Sequence, residues 1–220
     1  MNIHAFHNEG REMKNQNPTQ NPKAQAAEQS QTLLGTESSQ IGRGLGAVIF
    51  VAVAVALRIV PHLPNFTPIA AMALFGGAHF RRPLWAVVLP LLTMFCSDLV
   101  IGFHSLMPAV YASFVLVALI GLALKKHKSP LAITSAALSG SVLFFMITNF
   151  AFWLQGGAGG VTYTKDLTGL IECYTAAVPF FRYEALGDLF YTATMFGLWA
   201  FFARVFQTLR EAQAGLKARL

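Results

Sequence analysis

VIFVAVAVAL, residues 48–57, and SFVLVALIGLAL, residues 113–124, are apolar without interruption. A strand with one wet face alternates polar and apolar residues, and an amphipathic helix carries a polar stripe. Neither stretch does either. Continuous apolar runs that recur along a chain are what helices dissolved in lipid require, because backbone groups must be satisfied within the segment and side chains must suit hydrocarbon on every face. A membrane β-barrel would instead show alternating segments of about ten residues. The composition agrees: 55% of the 220 residues are hydrophobic and only 12% charged, against about 25% charged in ordinary soluble domains.

Outward from these runs, length and punctuation place six spans. They run from about Gly44 to Val60 (ending at Pro61), Phe66 to Phe80, Leu84 to Phe103, Met107 to Leu124, Leu131 to Leu154 and Phe180 to Phe206. The outer connection from Gln155 to Pro179 is expected to hold a short helix near Leu167 to Ala177. Residues 1–41 are rich in Asn, Gln, Glu and Ser and read as a disordered polar tail. Residues 42–207 form the transmembrane domain, and 208–220 a short basic tail.

The net charge of +6 is spread over loops and helix ends rather than gathered on one face, which argues against nucleic acid as a partner and for topology. Arg43, Arg81, Arg82, Lys125, Lys126, Lys128, Arg204, Arg210, Lys217 and Arg219 fall on one side. Only Arg58, Lys165 and Arg182 fall on the other. By the positive-inside rule both termini are cytoplasmic, in the plasma (inner) membrane. The expected fold is thus an all-α membrane protein, a bundle of about six transmembrane helices.

Charged groups within spans cost at least about 2.5–3.5 kcal/mol at mid-bilayer and normally face a partner or a wet cavity. Here they collect in the outer half: Arg58, Asp98, Asn149 and Asp188, with Asn65, His104, Tyr111 and Trp153 toward the mouth. These eight are the candidate ligand-binding residues. Glu184, Asp188, Tyr191 and Thr192 form one stripe of the sixth span; Ser141, Phe145, Thr148, Asn149 and Phe152 share a face of the fifth. Two such faces looking at each other would line a small-molecule cleft. Against this, Arg58 can pair with Asp98 or Asp188 as a purely structural lock, and the Gly-rich loop before Leu167 can be a lid or only a seal. Ala52 and Ala56 make a small-xxx-small pair suited to close packing against a partner helix.

HExxH, GxSxG, paired-Cys and Walker-type motifs are absent from the sequence, and Cys96 and Cys173 lack metal-site spacing. No metal, no cofactor and no enzymatic activity is expected. An aspartyl pair of Asp98 and Asp188 is the remaining enzyme alternative, and a non-enzymatic membrane scaffold is the other.

The stretches RIVPHLPNFTPIAAMALFGGAHF, SDLVIGFH, TNFAFWL, GLIECYTAAVPFF and GDLFY resemble a family of uncharacterised bacterial integral membrane proteins, a domain of unknown function. More distantly, LFGGAHFRRPLWAVVLPLLTMFCSDLVIG is similar to the second and third helices of the substrate-binding subunits of energy-coupling-factor vitamin transporters. That resemblance implies capture of a micronutrient on the outside. It also implies a transmembrane scaffold docked on Ala52 and Ala56, two ATPase subunits as further partners, and the Asn65 loop at the ligand.

Overall fold

IAAMALFGGAH is apolar and small on every side, and a helix of that kind belongs inside a bundle. In the computed structural model, which describes residues 48–60, 63 and 65–217, this segment is the central helix α2 (Ile69–His79), and nine of its eleven residues are buried. Around it in chain order are α1 (Val48–Ile59), α3 (Leu84–Ile101), α4 (Met107–Ala123), α5 (Pro130–Leu154) and α6 (Leu167–Lys217). All of these residues except Val48 and Ile49 belong to one unit, Phe50–Leu220. The disordered tail expected over residues 1–41, the topogenic Arg43 and Arg219, and Pro61 as the end of the first span lie outside the described residues.

Among the described residues there are six helices, and three of them, α3, α5 and α6, are long and apolar enough to cross a membrane. The other three are shorter apolar helices; α2, with eleven residues, rises only about 16 Å. Large apolar side chains cover the outward faces, among them Leu84, Val100, Leu131, Leu167 and Phe201. Such a surface suits lipid rather than water.

Between lipid-facing helices there is no hydrophobic driving force, and close van der Waals packing has to take its place. The sequence provides for this with glycine at the α2–α4 crossing. A Cβ on Gly77 would lie 2.7 Å from the carbonyl carbon of Gly121, and one on Gly121 would run into the carbonyl oxygen of Leu74. The two backbones therefore touch. Met72, Leu74, Met94, Val117 and Ala118 fill the core around this crossing.

Helix ends follow local chemistry. Ser129 caps α5, its hydroxyl accepting the Ala132 N–H at 3.2 Å, with Pro130 in the first turn. Gly102 ends α3 with φ +106° and donates its N–H to the Asp98 carbonyl, a conformation that glycine adopts without strain. Asn65 takes φ +59° in the loop before α2, which Asn tolerates better than most residues.

The last helix corrects the sequence reading. The expected short helix near 167–177, the sixth span and most of the basic tail form one continuous α-helix of 51 residues, with Pro179 inside it. Proline removes one backbone hydrogen bond, and by the rules of soluble proteins it ends helices. Membrane helices keep such prolines because neighbouring helices and hydroxyl side chains re-satisfy the freed groups.

Candidate functional site

The α1, α2, α3 and α4 termini nearest the α1–α2 loop, the end of α5 and the first half of α6 surround a cavity of about 690 Å³. Of the eight candidate ligand residues, Arg58, Asn65, His104, Asn149 and Asp188 line it, while Asp98, Tyr111 and Trp153 do not.

Asp98 sits behind the wall. It is 1% exposed, and its two oxygens are both engaged: Oδ1 with the Arg58 guanidinium at 2.6 Å, Oδ2 with the Tyr111 hydroxyl at 2.8 Å. Arg58 also donates to the Met94 carbonyl at 3.3 Å and to the Ser97 hydroxyl. Three helices are tied together through one carboxylate. Of the two acids that Arg58 could reach by sequence, Asp98 is the one it pairs with.

Trp153 is turned toward the loop. Its indole N–H donates to the Thr164 carbonyl at 2.8 Å, and Lys165 donates back to the Trp153 carbonyl at 3.0 Å and to that of Leu154. A cation at the C-terminal end of a helix meets the negative pole of the helix dipole, so Lys165 closes α5 and pins the loop there. On the other side of the loop Asp166 accepts the Gly169 N–H at 2.8 Å and the Thr164 hydroxyl at 2.7 Å, and these bonds hold its carboxyl below the usual carboxylate range. A lowered folded value means that the contribution to order is present above the ordinary pKa of 3.8 and is lost as pH falls through the lowered value. Pepsin cleavage of the 155–166 loop is therefore expected to stay slow through the ordinary carboxylate range and to accelerate only at lower pH. In Asp166→Ala it should be fast throughout, and identical profiles for the two proteins would contradict this account.

The α5 and α6 faces do meet. Ser141 on α5 donates to Asp188 on α6 at 2.7 Å, and Phe145 packs on Phe181 with ring centroids 4.9 Å apart. Asn149 donates a side-chain N–H to the Phe145 carbonyl at 2.8 Å and lines the cavity. One turn before Asp188, Glu184 also lines the wall, 5% exposed. Sequence reasoning puts Glu184 in the polar stripe but not in the ligand set; its i, i+4 spacing from Asp188 is the signal that points to it. Asn65 approaches Glu184 at 3.5 Å, because Phe66 lies against Gly187 and packs on Phe190 and Tyr191. A Cβ on Gly187 would come within 3.0 Å of the Phe66 Cα, so glycine there lets the loop reach α6.

Phe114, Phe144, Phe152, Tyr163 and Phe180 supply further aromatic surface to the cavity. Ala52 and Ala56 are exposed on α1, with Ala54 between them buried. Among the described residues no three His, Cys, Asp or Glu side chains come together as a metal-binding set. Residues 40–209 match the model of a family of unknown function, DUF6580. No curated protein and no solved structure matches the chain.

Proposed function

We propose that this chain, which belongs to the DUF6580 family of unknown function, is a multi-pass membrane protein that binds a small solute in the cavity between α3, α4, α5 and α6. The observation that carries this reading is the cavity itself. Its volume of about 690 Å³ lies within the range of small-molecule sites, and its wall combines aromatic rings with a few convergent polar groups, as such sites do.

The direction of access is argued from charge. The loops at the cavity end hold Lys165 alone, whereas those at the other end hold Arg81, Arg82, Lys125, Lys126 and Lys128. By the positive-inside rule the cavity then faces away from the cytoplasm, in a bundle of six spans with both termini inside, in the plasma (inner) membrane. In this reading the protein is the substrate-binding component of an uptake system. The exposed Ala52–Ala56 face of α1 would seat a transmembrane scaffold coupled to ATPase subunits, since small residues let helix backbones approach.

The Arg58–Asp98–Tyr111 network favours a structural role for those three residues inside a binding protein. Asp98 stands outside the cavity that Asp188 lines, which weighs against an aspartyl catalytic pair.

Ala177 lies in the cavity wall, so Ala177→Trp should fill the space with an indole and leave the core of the bundle alone. Native mass spectrometry of the detergent-purified protein should find a small molecule retained by the wild type and absent from Ala177→Trp. A wild-type protein that carries nothing, or a variant that retains the same molecule, would count against this function.

A further inference from the structure

Glu184 and Asp188 are 5% and 4% exposed, one helical turn apart on the same face of α6, and both line the cavity. Buried carboxylates are normally paired with a cation or saturated with hydrogen bonds, because an ion removed from water loses several kcal/mol of solvation. Here neither condition is met among the described residues. Asp188 receives one hydrogen bond, from Ser141, and Glu184 one long contact, from Asn65 at 3.5 Å. Glu184 Oε1 is buried without a hydrogen-bond partner among the described residues, although an ionised carboxylate offers about four acceptor sites.

Nor do the basic residues of the wall answer this charge. Among the described residues these are Arg58 and His104. The Arg58 guanidinium is already held by Asp98, Ser97 and the Met94 carbonyl. The wall thus carries two acids against a guanidinium that is neutralised from behind, no ion pair joins His104 to either acid among the described residues, and Glu184 Oε1 is an acceptor left unengaged. Aromatic rings share the wall with the two acids, among them Phe145 and Phe181, which pack on each other at 4.9 Å. Ring faces attract cations, the more strongly the less water surrounds them.

We propose, building on the solute-binding reading above, that the ligand is an organic cation whose ammonium nitrogen sits against Glu184 and Asp188 and whose body lies among the phenylalanines. An ammonium brings to the two acids both hydrogen-bond donors and a positive charge. A carboxylate or phosphate ligand would bring a third acidic group into a space that already crowds two. A bare metal ion would find too few ligands, since no third acidic, His or Cys side chain joins the pair among the described residues.

Isothermal titration of the full-length protein in detergent with three isosteric probes tests this: phenethylamine, 2-phenylethanol and 3-phenylpropionate. Phenethylamine is expected to bind roughly tenfold or more tightly than the alcohol, the worth of a charge-assisted hydrogen bond, and the carboxylate to bind least. In Glu184→Gln that preference should shrink to within about threefold while the alcohol binds as before; Asp188→Asn serves as a second variant. Equal affinities in the wild type, or a preference for 3-phenylpropionate, would overturn the cationic ligand while leaving the binding cavity standing. No binding of any probe, with no molecule retained in native mass spectrometry, would overturn both.

Discussion

Asp98→Ala should leave a protein that no longer survives purification in detergent as a monodisperse species. The carboxylate it removes is 1% exposed and holds Arg58 from α1 and Tyr111 from α4. Without it the guanidinium, 15% exposed, remains inside with the Met94 carbonyl and the Ser97 hydroxyl as its remaining partners among the described residues. Breaking one side of a buried ion pair costs about 3–5 kcal/mol because the other charge is left uncompensated, and whole-protein stabilities are only about 5–15 kcal/mol. The expected readout is loss of the symmetric peak in size-exclusion chromatography, or a fall in Tm of many degrees. Removing both charges in Arg58→Met with Asp98→Leu should restore much of what the single change loses. If Asp98→Ala instead keeps its Tm and loses a bound solute, the carboxylate is a ligand contact and the lock described above is wrong.

The second large effect is expected at the α2–α4 crossing. Gly121→Ala places a methyl group against the backbone of Leu74, which has no rotamer by which to yield. Overpacking of a tight core costs about 1–3 kcal/mol and sometimes more, and here it is applied where two backbones touch. Alanine regains at most about 1 kcal/mol of helix propensity. Gly140→Ala is the matched control: its Cβ would meet Val117 at 3.4 and 3.5 Å, ordinary contact distances, so the propensity gain should dominate. Thermal unfolding followed by circular dichroism should therefore lower Tm for Gly121→Ala and leave it level or slightly raised for Gly140→Ala. Equal shifts for the two would mean that the helices do not approach as closely as described.

Helical class was legible because an apolar run such as 113–124 admits no other reading in lipid, and the starts of α3 and α4 follow from Pro83 and the Met107–Pro108 step. Pro179 misled for a reason that belongs to water: in a soluble helix the lost hydrogen bond would end the element, whereas a bundle in lipid can absorb it. Within the site, periodicity says which face of a helix is polar but not what that face meets. Arg58 could be assigned to two acids on that basis, and only the fold brings it to Asp98. For the same reason Trp153, expected at the mouth of the cleft, could not be seen to serve the 155–166 loop. Glu184 was visible in the stripe, yet its missing partner is a property of the packed structure alone.

The unbroken course of α6 has a mechanical consequence. Glu184 and Asp188 lie in its first half, and the same rod carries Arg204 and Arg210 at the opposite end of the bundle. Leu216 lies 28 residues beyond Asp188 (216 minus 188). At 1.5 Å per residue that is a lever arm of about 42 Å, so a tilt of about 5° at the carboxylates displaces the far end by about 4 Å. Proline at 179 lies on the other side of Asp188, toward the loop, and leaves that arm without a hinge between the carboxylates and the basic end.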